Sequence, residues 1–172
     1  MVLAIVARSA DAAAFEQLHA VAKSAGNETE LRRYYRALMQ VRDPQLAAQA
    51  AQIAVSPEIP PQAAAARLRL VAELNDENPQ LAWVTFTQNN DMLMAPQGRY
   101  APLIVAQFSP EMFWNSAPLD QIETWVRSHS PAEMADNVAR GMESARSKFA
   151  EKTTLTQAAD VYVNSLAGAH GG

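Results

Sequence analysis

The chain has 172 residues, a mass of 18.7 kDa, 49% hydrophobic residues, a formal net charge of −4 and a pI near 5.3, enough for one helical or mixed domain with a real core. The acidic balance argues against a surface built to neutralise nucleic-acid phosphates, and no Lys/Arg run exceeds two residues, at Arg32-Arg33. With no cysteine, disulfides, thiolate catalysis and cysteine-bound zinc are excluded; the compartment stays open, with cytoplasmic placed ahead of periplasmic or secreted.

The first element is the apolar run Met1 to Ala7, which meets Arg8 far short of the roughly 20 residues a membrane span needs. No basic residue precedes it, so it does not read as a signal peptide. It reads as a helix without a capping residue, which predicts a boundary cut through a larger protein. Met1 to Ser9 is then expected to be the last helix of an interrupted stack, leaving apolar surface uncovered and prone to self-association.

Asp11 to Lys23 carries Phe15, Leu18 and Ala22 on a helical face, and Ser24-Ala25-Gly26 stops it, with Gly26 suited to a left-handed cap. Asn27 and Glu30 make a capping box ahead of Leu31, Tyr34, Tyr35 and Leu38. Asp43-Pro44 is a chemically written helix start. Leu46, Ala50 and Ile53 follow as one stripe until Ser56-Pro57 and Pro60-Pro61 prevent continuation. The next helix is apolar on more than one face, with Ala66, Leu70 and Leu74 on one side and Leu68, Val71 and Ala72 on the other, so it is predicted to lie buried between neighbours.

Asn78-Pro79 opens a helix bearing Leu81, Trp83, Val84 and Phe86. From Asn89 to Ala117, Pro96, Gly98, Pro102 and Pro110 predict short helices or turns. Leu119, Ile122 and Val126 then line one face, and Ser130-Pro131-Ala132-Glu133 combines an N-cap, a first-turn proline and a capping box. Met134, Val138, Met142, Ala145 and Phe149 follow at helical spacing, with Asp136 and Arg140 placed to pair on the wet side. Thr154 and Gln157 repeat a capping box before a last stripe of Leu155, Ala159, Tyr162 and Leu166. Residues 168–172 are expected to be a flexible tail. The whole reads as a single all-α domain of about nine or ten helices joined by short gaps, an irregular HEAT-like α-α superhelix, or solenoid. A compact bundle is the alternative.

No catalytic constellation assembles itself. His19, His129 and His170 lack metal-binding neighbours at helical spacing and read as solvated residues. Glu28/Glu30, Asp76/Glu77 and Asp120/Glu123 read as helix-start anions. Ser56, Ser109 and Ser130 each precede proline and read as helix initiators, not as nucleophiles on an elbow. The aromatic set Tyr34, Tyr35, Trp83, Phe86, Phe113, Trp114, Trp125 and Phe149 reads as core, with Trp114 the most exposed member.

The order of Ala37-Leu38, Val41, Asp43-Pro44 and Leu46, then Leu81-Ala82-Trp83, then Ile122-Glu123-Thr124-Trp125 followed by His129, resembles the C-terminal helical domain of zinc aminopeptidases. These are the enzymes of the puromycin-sensitive, endoplasmic-reticulum aminopeptidase and aminopeptidase N type. The likeness spans roughly Leu31 to Leu166, about the C-terminal half of that domain. It implies a non-catalytic portion of a metallopeptidase that packs on an upstream catalytic domain and closes the chamber in which peptides lose N-terminal residues. Zinc would belong to that upstream domain, with no metal, cofactor or catalytic residue in this chain. The loop Gln97-Gly98-Arg99-Tyr100 is the counterpart of a concave peptide-facing region and offers Arg99 and Tyr100 as peptide contacts. A free-standing HEAT-like adaptor for a protein or peptide is the alternative function. Neither a membrane span nor a nucleic-acid partner is expected.

Overall fold

The computed structural model describes residues 2–60, 63 and 66–169. Among them every regular element is helical: α1 (Val2–Arg8), α2 (Ala12–Lys23), α3 (Glu28–Leu38), α4 (Pro44–Val55), α5 (Arg67–Glu73), α6 (Pro79–Gln88), α7 (Asn90–Met94), α8 (Ala101–Met112), α9 (Leu119–His129) and α10 (Ala135–Ala169). Short 3-10 turns join them at Leu74–Asp76, Ala95–Tyr100 and Ala132–Met134. The fold is all-α, which is compatible with a stacked, solenoid-like arrangement. The chain divides into two compact units, one of Met1–Ala101 with Glu111–Pro118, the other of Pro102–Pro110 with Leu119–Gly172.

In the first unit α3 packs against α1, α2, α4 and α5, and α5 in turn meets α4, α6 and α7. The two-faced apolar pattern of α5 follows from this: Leu68, Leu70 and Val71 are all buried, as a helix between neighbours requires. The predicted starts hold where the cap is purely local. Asp43 Oδ1 accepts from the amides of Gln45 and Leu46 at 2.9 and 3.0 Å, Asn27 Oδ1 from Glu30 at 2.9 Å, and Asp11 from Ala14 at 2.8 Å. Each such cap contributes about 1 kcal/mol. Asn78 departs from this pattern: its side-chain amide donates to the Val41 carbonyl at 2.7 Å, tying the turn before α6 to the turn after α3. Gly26 also differs, since α2 ends at Lys23 without a positive-φ residue. The Ser24 hydroxyl donates back to the Val21 carbonyl instead.

One aromatic nest closes this unit. Phe86 and Phe113 are fully buried with ring centroids 4.8 Å apart, and Trp83 lies 5.2 Å from Phe113, edge-on. Beside it, buried Asn75 accepts the Asn115 amide at 3.1 Å and the Ser116 hydroxyl at 2.5 Å, so the segment Glu111–Pro118 is held by both packing and polar contact.

The second unit buries Val105 and Ala106 of α8, Ile122 and Val126 of α9, and Val138, Met142 and Ala145 of α10. Gly141 permits a close approach: a Cβ there would lie 3.1 Å from the Ala106 Cβ, tighter than ordinary contact. The Lys152 ammonium caps the end of α8 by donating to the Pro110 carbonyl.

Three expectations from sequence are corrected here. Residues Ala101–Met112 form a full helix, although Pro102 and Pro110 read as breakers. Pro102 sits in the first turn, where the missing N–H costs nothing, and Pro110 sits in the last. Ser130 does not cap the following helix; its hydroxyl donates to the Val126 carbonyl at the end of α9, and the next turn has no side-chain cap. Thr154 starts no new helix either. The Thr153 and Thr154 hydroxyls donate to the carbonyls of Phe149 and Ala150, which leaves α10 continuous through Ala169. Its distal stripe is not buried, with Leu155 62% and Tyr162 65% exposed. The rest of the expected tail, including His170, lies outside the described residues.

Candidate functional site

The first unit carries a cleft of about 730 Å³ walled by α1, α3 and α5. Its residues on α3 recur at helical spacing, so one face of that helix is turned inward: Thr29, Arg32, Arg33, Arg36 and Ala37, with Gln40 following in the turn after the helix. The opposite face, carrying Tyr35 and Leu38, is the buried one. From α5 come Arg69, Leu70 and Glu73, and from α1 Leu3 and Ala4. The cleft therefore pairs an apolar wall with four arginines and a single carboxylate.

Two of those arginines are committed to partners. Arg36 pairs with Glu73 at 2.6 Å, and Arg32 with Glu28, outside the cleft, at 2.6 Å. Arg33 and Arg69 have no carboxylate within ion-pair distance among the described residues and are exposed to the opening. The Gln40 side-chain amide donates to Glu73 Oε2 at 3.1 Å. This fixes the amide's orientation and leaves Gln40 Oε1 buried without a hydrogen-bond donor.

Arg99 and Tyr100 do not line this cleft. They follow Gly98, whose φ of 53° and ψ of −142° only glycine adopts without strain. The Arg99 guanidinium lies 5.1 Å over the Tyr100 ring and donates to its hydroxyl at 3.0 Å. Tyr100 is 50% exposed, so the pair forms a presented cation-aromatic knob.

The titratable centre that sequence spacing missed is Glu58. Its Oε1 accepts from Tyr35 at 2.7 Å and lies 2.6 Å from His19 Nε2, while Lys23 approaches Oε2 at 3.3 Å. His19 is thus not the solvated residue its neighbours imply, because its partner lies on the turn after α4, far along the chain. Burial pushes the Glu58 carboxyl up, but the Tyr35 and His19 hydrogen bonds, the attraction of His19 and the Lys23 contact outweigh it and hold the group below its usual range. Burial, reinforced by the bond to Glu58, pushes the Tyr35 phenol well above its usual value.

His129 is exposed, stacked on Trp125 at 4.2 Å, with Nδ1 2.8 Å from the Trp125 carbonyl. Glu77 and Glu123 are more than helix-start anions. Glu77 bridges Arg8 and Arg42 at 2.6 and 2.8 Å, and Glu123 bridges Arg127 and Arg146. Arg140 donates to Asn137 in place of the expected Asp136. None of the Ser-Pro serines initiates a helix: Ser56 closes α4 through the Ile53 carbonyl, and Ser109 is buried within α8.

Among the described residues no group of three or more His, Asp or Glu is arranged to hold a metal ion, and no helix is long and apolar enough to cross a membrane. No curated protein and no solved structure matches the chain. A family model described as ERAP1-like C-terminal domain matches residues 1–147. The chain belongs to the ERAP1-like C-terminal domain family.

Proposed function

We propose that the chain is the non-catalytic C-terminal portion of a zinc aminopeptidase, packing on the catalytic domain and helping to enclose the chamber where peptides lose their N-terminal residues. The family match over residues 1–147 carries this reading. The donor set that zinc requires is not assembled among the described residues: His19 is engaged with Glu58, and His129 lies on the Trp125 carbonyl. In this reading zinc belongs to the upstream catalytic domain. The outward side of α1 supports packing against another domain over a free-standing adaptor, because Ile5 and Val6 are 59% and 51% exposed. Arg99 and Tyr100 are proposed to meet the peptide through the presented knob.

The purified chain, supplied with zinc, is expected to cleave no aminoacyl-anilide; turnover would overturn the reading. A coding sequence upstream of Met1 that specifies a His-Glu-x-x-His helix supports it, and a stop codon there favours the adaptor. In the whole enzyme, Arg99→Ala and Tyr100→Ala should raise KM for peptides by several-fold while leaving small anilides unaffected. Equal effects on both substrates would remove the pair from peptide contact.

A further inference from the structure

We propose that the α1–α3–α5 cleft is a binding site for the acidic side chains of peptides, with Arg33 and Arg69 as the carboxylate-binding residues. The inference rests on the peptide-handling reading above, but its evidence is separate. A chain of net charge −4 concentrates four arginines against one carboxylate in a single cleft. An ordinary solvated helix face would look out to open water. Here the arginine face of α3 looks at a second wall that carries Arg69 and at an apolar wall from Leu3.

The two arginines without carboxylate partners sit on different walls of the cleft, one on α3 and one on α5. Guanidinium groups without internal partners are suited to carboxylates, which they bind in a two-pronged geometry. Size and lining argue against a lone inorganic anion. About 730 Å³ lies in the range of pockets that hold extended organic ligands, and Leu3, Ala4 and Leu70 offer a free anion nothing. A peptide brings apolar contacts and side-chain carboxylates together, whereas pyrophosphate brings charge alone.

The test is fluorescence anisotropy on the full chain with a short labelled peptide of alternating Glu and Ala, its Gln-for-Glu counterpart, and inorganic pyrophosphate as competitor. The Glu peptide is expected to bind saturably and more weakly as salt rises, with the Gln peptide about tenfold weaker or worse. Arg33→Gln/Arg69→Gln should weaken the Glu peptide by about tenfold or more, with the melting temperature preserved because neither side chain has an ion-pair partner to lose. Arg140→Gln, in the other unit, should leave binding unchanged. Equal affinity for the two peptides, no binding of the Glu peptide, or unaltered binding by the double variant would each overturn the proposal, as would displacement by pyrophosphate at the peptide's own concentration. If the double variant unfolds, the wild-type salt dependence and the Glu-to-Gln comparison decide. An upstream sequence without a zinc helix would sink the aminopeptidase reading and leave these binding results standing.

Discussion

Glu58 shows how a single side chain can join three separate stretches of sequence. Its carboxylate draws together Tyr35 of α3, His19 and Lys23 of α2, and the turn that follows α4. The folded protein holds this carboxyl below the 4.5 of the free group, so the native state binds fewer protons than the unfolded chain as the pH passes through that region. The stabilisation is complete above about pH 4.5 and is lost as pH falls through the lower, folded value. Thermal melts followed by circular dichroism from neutral pH down to about pH 3 should show the melting temperature dropping along this acid limb. Glu58→Gln should cost about 1.5–3 kcal/mol at neutral pH and flatten that limb. An acid limb equally steep in the variant would mean other carboxylates dominate.

At the scale of elements, legibility tracked how local the determining contact is. Asp11, Asn27 and Asp43 cap amides two or three residues ahead, so their helices could be read directly. Asn78 and Ser130 carry the same chemistry but spend it elsewhere, on Val41 and Val126. The basic cleft has no local signature, because Arg33 and Arg69 share it only through the packing of α3 on α5, and the His19 partner Glu58 lies 39 residues along the chain. Half-burial of Trp125 and Phe149 likewise differs from the core role that their helical spacing implies. The spacing identifies a face without saying how far its neighbour extends. Phe86→Ala should therefore cost about 3–5 kcal/mol, while Leu155→Ala, on the exposed run of α10, should stay within about 0.5 kcal/mol. Chemical denaturation of the two variants checks the contrast; comparable losses would place the distal stripe of α10 in a packed core.

At the scale of the whole molecule, some charged groups are joined in bridges such as Arg8–Glu77–Arg42 and Arg127–Glu123–Arg146. Apolar surface remains on α1 at Ile5 and Val6, and it should drive concentration-dependent association when no other domain covers it. Sedimentation velocity should show that association weakening in an Ile5→Ser/Val6→Ser variant. A monomer at every concentration would mean that α1's outer side is simply tolerated in water.

The segment Glu111–Pro118 belongs to the first unit, yet it follows Pro102–Pro110, which belongs to the second. Phe113, Asn115 and Ser116 complete the aromatic nest and satisfy Asn75 from about forty residues downstream. During synthesis, the helices up to α7 must wait with Phe86 uncovered while the ribosome delivers the opening stretch of the other unit. Cooperative closure of the N-terminal unit can begin only once Pro118 has cleared the exit tunnel. The interval between those events is when a nascent chain of this protein has most need of a chaperone.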